Sequence, residues 1–245
     1  MRNLVKAELY KLIKSSGYRV TMALSVGVGG FFVYFWVANS NRASGYQMLP
    51  VMDSFVMFHT IFTGAFTAVF LCSEFSGRTM GMGFFCGRTR RSVFLSKLVV
   101  YFIGLLCLLS AVVAVPVLIM TILNGFGLEL TIEGWLAFLA QIVFFWLVCA
   151  AIGGFFVLLA TATRNAVATI GVGLGISQCM LMLAANYANS GVEMYYPVKY
   201  SVIYQMFVLA DWENLQKGLF VGVSLTTLAV TLTAAVVIFE RMELK

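Results

Sequence analysis

Charged residues are scarce in this chain of 245 residues, because Asp, Glu, Lys and Arg together make up only 11% of it. Ordinary soluble domains are about 25% charged and about 45 to 50% apolar, whereas 61% of this sequence is hydrophobic. So few charges cannot keep so apolar a chain in water, which excludes both a soluble globular protein and a disordered chain. The sequence therefore predicts a membrane protein.

Histidine, aspartate and cysteine are also scarce, and each shortage excludes a kind of chemistry. His59 is the only histidine, and Asp53 and Asp211 are the only aspartates, so neither a metalloprotease motif H-E-x-x-H nor an intramembrane aspartate pair is available. The five cysteines stand at no metal-ligand spacing, and we expect neither zinc nor a disulfide bond. No glycine precedes a lysine, so the phosphate loop G-x-x-x-x-G-K-[ST] is absent. We expect no catalytic residue, metal site or cofactor in this chain.

Six apolar stretches are each long enough to cross a bilayer, which takes about 20 residues in an α-helix. They cover residues 18–37, 54–71, 93–123, 135–161, 166–185 and 218–239. The alternation of apolar and polar residues typical of a membrane β-barrel is absent. We predict an all-α polytopic membrane protein in which residues 1–245 form one transmembrane domain. The third stretch is longer than a bilayer is thick and contains Pro116, so we expect it to tilt or kink.

The Lys and Arg residues are distributed unevenly between the two sides of these six stretches. Thirteen of the sixteen lie on one side, which includes both termini and the connections after the second and fourth stretches. Only Arg42, Lys199 and Lys217 lie on the other side. By the positive-inside rule, we expect a multi-pass protein of the cytoplasmic membrane with both termini in the cytoplasm. Topology thus explains the net charge of +6, and we expect no nucleic-acid partner.

Two segments outside the spans have patterns of their own. Residues 1–17 predict an amphipathic helix on the membrane surface, with Glu8 and the lysines away from an apolar face formed by Val5, Leu9, Leu12 and Ile13. This helix is either a simple anchor or an elbow helix that braces a cytoplasmic subunit. The connection 186–217 is rich in Tyr, Phe and Trp. It predicts either short re-entrant helices around residues 198–209 or an aromatic belt at the interface.

A polar stripe follows one face of the second span. It consists of His59, Thr60, Thr63 and Thr67, and Glu74 continues the same face beyond the span. Threonine hydroxyls can bond to their own helix, so the stripe indicates either ordinary helix packing or the lining of a substrate path.

No Asp, Glu, Lys or Arg lies in the central part of any span. Ion-coupled carriers usually have such groups near the middle of the membrane, so we expect the driving energy to come from elsewhere. The fifth span instead contains Gly171, Gly173 and Gly175, and its G-x-x-x-G spacing predicts close helix contact.

Residues 74–92, between the second and third spans, combine glycine, phenylalanine and basic residues, which is typical of either a docking surface or a solvated loop. Glu74, Thr79, Gly87, Thr89-Arg90 and Lys97 follow the pattern E-x4-T-x7-G-x-[ST]-R-x6-K. This pattern resembles the permease subunits of type-2 ATP-binding-cassette exporters, the group that includes bacitracin-resistance and lantibiotic-immunity permeases. The opening residues LVKAELYKL are similar to that family's opening. One departure is Arg78, where many relatives have glycine before the threonine.

The resemblance implies a permease without enzymatic activity of its own. Residues 74–92 would form a coupling helix that docks on a separate cytoplasmic ATPase, and residues 1–17 would be the elbow helix. Glu74, Thr79, Gly87, Arg90 and Lys97 would shape or anchor the coupling segment. ATP and magnesium would bind the partner ATPase, and a second permease copy or a related permease would complete a homodimer or heterodimer among the membrane lipids. The substrate would be amphipathic, such as an antimicrobial peptide or a lipid-like compound, and the role would be resistance or immunity.

Two other functions fit the composition. A six-helix substrate-binding module of an ATP-dependent vitamin importer would bind a small ligand tightly from outside without nucleotide. A membrane-embedded enzyme would lose its chemistry on substitution of His59 by alanine, whereas an exporter would keep much of its ATP turnover.

Overall fold

The structure, a computed structural model, describes residues 2–38, 43–76, 89–127, 132–190, 196–209, 211 and 215–242. Helices account for 90% of it, and these ranges contain no β-strand. In chain order the elements are α1 (Arg2–Lys14), α2 (Ser16–Ala38), α3 (Met48–Ser54), α4 (Val56–Thr67), a π-helical turn (Ala68–Cys72), α5 (Ser73–Ser76), α6 (Arg90–Asn124), α7 (Ile132–Thr163), α8 (Ala166–Ser190), α9 (Tyr196–Lys199), α10 (Val202–Val208) and α11 (Lys217–Arg241). The fold is all-α, as the sequence predicts.

Six helical segments in the described part of the chain are long and apolar enough to cross a membrane, which confirms the predicted number of spans. They are Ser16–Val37, Val56–Phe75, Arg90–Asn124, Ile132–Thr163, Ala166–Asn186 and Lys217–Arg241. The largest difference is at the end of the second span, which the sequence predicts at residue 71 and which extends to Phe75. The reason is local: the π-helical turn and α5 continue the helix through Ser73 and Glu74 to Phe75.

Three short helices lie between the spans in the described part of the chain. The sequence does not predict α3, because Met48–Ser54 is a brief helix without a full apolar period. In the aromatic connection short helices are one of the two predicted alternatives, and α9 and α10 lie there. Val202, Ile203 and Met206 of α10 are buried, and α10 packs on α7, α8 and α11. The depth of α9 and α10 in a membrane stays a prediction.

The helices α6 and α7 form the centre of the bundle. α2 and α1 pack on α6, α11 packs on α7, and α4 contacts both central helices. Their interface buries large side chains completely, including Phe66 of α4, Tyr101 and Leu105 of α6, and Phe156 of α7. α8 and α11 are the most exposed spans, with only 17% of each apolar window buried. Their outward faces are therefore available to lipid.

Close packing of α4, α7 and α8 depends on two glycines that hold the ring of Phe156. A Cβ atom on Gly64 would lie 2.9 Å from Phe156 Cε1, and one on Gly173 would overlap the same edge of that ring. Gly171 and Gly175 have no other group within 4 Å of their Cβ positions. The close contact expected in the fifth span is therefore made by Gly173 and not by the G-x-x-x-G pair, which faces outward.

The approach of α2 to α6 depends on Gly29 and Pro116. Pro116 lies inside the continuous helix α6 and has no N–H to donate to the carbonyl oxygen of Val112, one turn earlier. A Cβ atom on Gly29 would lie 3.0 Å from that oxygen and 3.2 Å from Pro116 Cδ. Glycine is thus favoured at position 29, since a Cβ atom there would press on backbone and on a proline ring that cannot turn away.

We expect the substitution Gly29→Ala to lower the free energy of unfolding by about 1 to 3 kcal/mol, the usual cost of overpacking. Unfolding in mixed micelles with increasing SDS measures this quantity. Gly27→Ala is the matched control, because no group lies within 4 Å of the Cβ position of Gly27 in the same helix. Equal losses for the two variants would contradict the proposed α2–α6 contact.

Candidate functional site

A cluster of four charged side chains lies where α1, α5 and α6 meet. Lys97 of α6 is at its centre: its Nζ atom lies 2.9 Å from Glu8 Oε2 of α1 and also contacts Glu74 Oε2 of α5. Lys11 Nζ lies 3.2 Å from Glu8 Oε1 and 4.0 Å from Glu74 Oε1. We call these four residues the ion cluster.

Burial makes the ion cluster energetically demanding. The exposed fractions of the side chains are 4% for Lys97, 10% for Glu8, 18% for Glu74 and 60% for Lys11. Removing a charge from water costs several kcal/mol unless an opposite charge is held close by. Two carboxylates and two ammonium groups balance here, so the cluster stabilises the junction of three helices only while its members remain together.

The ion cluster joins the two ends of the connection between the second and third spans. α5 ends at Ser76 and α6 begins at Arg90, and the ion pair between Glu74 and Lys97 links these two helices. Thr79 and Gly87, which the sequence assigns to the coupling segment, lie outside the described residues. The role of Glu74 and Lys97 in coupling stays a prediction.

Arg90, the remaining residue assigned to coupling, contacts a different part of the chain. Its Nη1 donates a hydrogen bond of 2.7 Å to the carbonyl oxygen of Met242. The N-cap residue Thr89 accepts from the backbone N–H of Ser92, which is a favourable start for a helix. Arg90 thus ties the beginning of α6 to the end of α11.

The buried face of α1 differs from the predicted one. Leu12 is buried, Val5 and Leu9 are half-buried, and Ile13 is 57% exposed. Glu8 is buried although the sequence reading assigns it to another face. At 3.6 residues per turn Glu8 lies only about 40° from Leu12 around the helix axis. It therefore lies between Leu4 and Leu12 on the apolar side of α1. A carboxylate inside an apolar arc is the signal that could have indicated a buried cationic partner.

The polar stripe of the second span is buried inside the bundle. Thr60, Thr63 and Thr67 are 0% exposed and His59 is 1% exposed. Thr63 and Thr67 donate hydrogen bonds of 2.7 Å to the carbonyl oxygens of His59 and Thr63 respectively. Both bonds lie within the second span, as expected for threonines that only pack against neighbouring helices. The role of the stripe as a substrate path stays a prediction.

Tyr101 extends this stripe to the two central helices. Its hydroxyl lies 2.7 Å from Thr67 Oγ1 and donates a longer bond of 3.4 Å to the carbonyl oxygen of Gly153. Lys97 precedes Tyr101 by one turn of α6 and contacts Glu74. Thr67 and Glu74 therefore both face α6, and the predicted continuation of the stripe to Glu74 agrees with these contacts.

An apolar cavity of about 310 Å³ lies between α6 and α7, beside α3. Its walls include Leu49, Val113, Ala114, Phe138 and Phe145. Its polar features include a hydrogen bond of 2.9 Å from Trp146 Nε1 to Ser110 Oγ. None of the stripe residues lines it. Phe145 also packs edge-on against His59, with ring centroids 5.4 Å apart, so this ring separates the cavity from the stripe.

The geometry defines the class of this protein, and comparisons with known proteins identify no family within that class. The chain is a multi-pass helical membrane protein with a buried ion cluster at one end of the bundle and an apolar cavity between its central helices. Among the described residues, no group of three or more His, Cys, Asp or Glu could hold a metal ion. No protein-family model and no curated protein matches the sequence.

Proposed function

We propose that this chain is the membrane-spanning permease subunit of an exporter driven by a separate cytoplasmic ATPase. The ion cluster is the observation that carries the proposal. It links the helices on both sides of residues 77–88, the core of the proposed coupling segment, to α1, the proposed elbow helix. A force applied to this segment by a partner would reach α1, α5 and α6 together, because separating Lys97 from its carboxylates would leave buried charges unpaired.

The proposed mechanism needs two arrangements of the bundle and a partner that favours one of them. Closure of an ATPase pair on ATP and magnesium would push on the coupling segments of two permeases, either two copies of this chain or this chain and a related one. Packed helices respond to such a push by switching between discrete arrangements. Both termini and residues 74–92 would lie in the cytoplasm, as the distribution of Lys and Arg predicts.

The apolar cavity supports an amphipathic substrate. It lies within the spanning parts of α6 and α7 and is almost entirely apolar, so it suits the hydrocarbon part of a molecule whose polar part stays at the membrane surface. An antimicrobial peptide or a lipid-like compound has this character. Export of such a compound from the membrane would give resistance or immunity.

Cysteine crosslinking tests the partnership most directly. The chain, with its five cysteines replaced by serine, is co-expressed with a cytoplasmic ATPase of the ATP-binding-cassette type. A thiol crosslinker is expected to join Thr79→Cys to the ATPase in membranes. Ala162→Cys is the matched control, because Ala162 is exposed at the end of α7 on the same predicted side of the membrane.

A crosslink from neither position, or equal crosslinking from both, would contradict the proposed coupling segment. Tight binding of a small ligand from the outer side without nucleotide, together with no crosslink, would favour the importer module instead. Transport of substrate by the purified chain alone would exclude dependence on an ATPase.

A further inference from the structure

A groove of about 600 Å³, separate from the apolar cavity, lies between α6 and α11 at the end of the bundle where α6 begins and α11 ends. Its walls are apolar and include Leu95, Val99, Phe102, Leu232, Val236 and Val237. These residues belong to two membrane-spanning helices, so the groove opens sideways toward hydrocarbon. Its rim is polar, because Arg91 and Glu240 stand at its end.

The terminal turns of α6 and α11 beside the rim carry more positive than negative charge. Arg91 Nε lies 3.7 Å from Glu240 Oε1, but the two side chains are 70% and 43% exposed, and such exposed pairs bind weakly. Arg90 and Arg241 are also exposed in the terminal turns of the same two helices. Phe94 and Phe239 stack with ring centroids 4.3 Å apart and hold these turns together. Three arginines and one glutamate therefore lie in these terminal turns, and of them Arg91 and Glu240 line the groove.

We propose that this groove binds an anionic phospholipid, with one acyl chain along the walls and the phosphate on Arg91. Charge complementarity selects the headgroup, since a guanidinium pairs with two phosphate oxygens at once and basic pockets between spanning helices attract anionic lipids. The volume of the groove favours a long acyl chain, because a cavity of about 150 Å³ is enough only for a molecule such as benzene. The proposal rests on the membrane-spanning helices and not on the exporter function.

A free phosphate or a soluble anion would leave the apolar walls unused, which is why the occupant is a lipid. On the predicted topology the lipid belongs to the cytoplasmic leaflet. Glu240 competes with the phosphate for Arg91, so binding exchanges a weak surface ion pair for a stronger contact with phosphate.

Thermal unfolding of the purified full chain in a neutral detergent tests the site. A ligand that binds the native state raises the apparent Tm, so phosphatidylglycerol is titrated and the half-saturating mole fraction is read from the Tm. Phosphatidylcholine is expected to shift the Tm less. For Arg91→Gln we expect half-saturation at about fivefold more lipid, since one basic residue near the surface contributes about this factor. Arg91→Lys is expected to keep the preference for phosphatidylglycerol.

Three further variants separate the groove from general surface charge. Thr233→Phe is expected to abolish the preference, because Thr233 is an exposed residue that lines the groove. Thr226→Phe, two turns away on the same face of α11 and outside the groove, is expected to keep it. Glu240→Gln is expected to strengthen binding, and this gain tests the site even if an arginine variant does not fold.

Equal shifts from the two lipids would overturn the proposal. The same holds if Arg164→Gln, which changes an exposed arginine between α7 and α8, weakens binding as much as Arg91→Gln, since binding would then follow overall charge. A Tm shift of the same size from glycerol phosphate alone would indicate an anion site without a lipid and would also overturn it.

Discussion

Replacing Lys97 with methionine is expected to lower the free energy of unfolding by about 3 to 5 kcal/mol, the usual cost of removing one partner from a buried ion pair. Lys97 is 4% exposed and is the cation between Glu8 and Glu74. Without it, two buried carboxylates face each other with only the exposed Lys11 nearby. Unfolding in mixed micelles of neutral detergent and SDS measures the loss.

Two comparisons separate the ion cluster from a general effect of charge. The exposed pair of Arg91 and Glu240 belongs to the same region, and Arg91→Gln is expected to cost less than about 1 kcal/mol. Adding Glu8→Gln and Glu74→Gln to Lys97→Met is expected to restore most of the stability, because no buried carboxylate then remains unpaired. A loss for Lys97→Met as small as that for Arg91→Gln would show that the ion cluster is solvated.

Introducing leucine at Gly173 is expected to cost about 3 kcal/mol, at the upper end of overpacking effects. The ring of Phe156 is completely buried. The ring has little room to move away from a side chain on Gly173, because it is buried and Gly64 also approaches it, with a Cβ position 2.9 Å from Phe156 Cε1. The new side chain must therefore move α8 away from α7. The same unfolding experiment measures the effect.

Gly171→Leu and Gly175→Leu are the matched controls for Gly173→Leu. Both glycines lie in α8 with no group within 4 Å of their Cβ positions, and each substitution is expected to change the free energy of unfolding by less than about 0.5 kcal/mol. If Gly171→Leu proved as costly as Gly173→Leu, the outward face of α8 would be buried in the functional protein.

The first turns of α6 would connect the two proposals. Arg91 lies at the rim of the lipid groove and Lys97, less than two turns later, is the centre of the ion cluster. α6 also follows residues 77–88 directly. A phospholipid on Arg91 would thus hold the helix through which the proposed coupling segment acts, and the lipid dependence of ATP-driven transport would report this link.

The contacts of Glu8 and of the glycines of α8 could not be predicted from the sequence. An amphipathic helix is normally read by assigning every charge to water, so Glu8 is assigned outward although its angular position lies inside the apolar arc. The G-x-x-x-G spacing identifies small residues but not the helix that will meet them, and the close contact falls on Gly173. The π-helical turn at Ala68–Cys72 is not predicted from the sequence either.

The sequence by itself determined that this is an all-α membrane protein with six spans, because a membrane acts on each segment separately and a long apolar run must form a helix wherever it stands. The tertiary structure alone decided which charges are buried together, which glycine receives the ring of Phe156 and where cavities remain. These features depend on side chains far apart in the chain, such as Glu8 and Lys97, and such distances are set only when the helices pack.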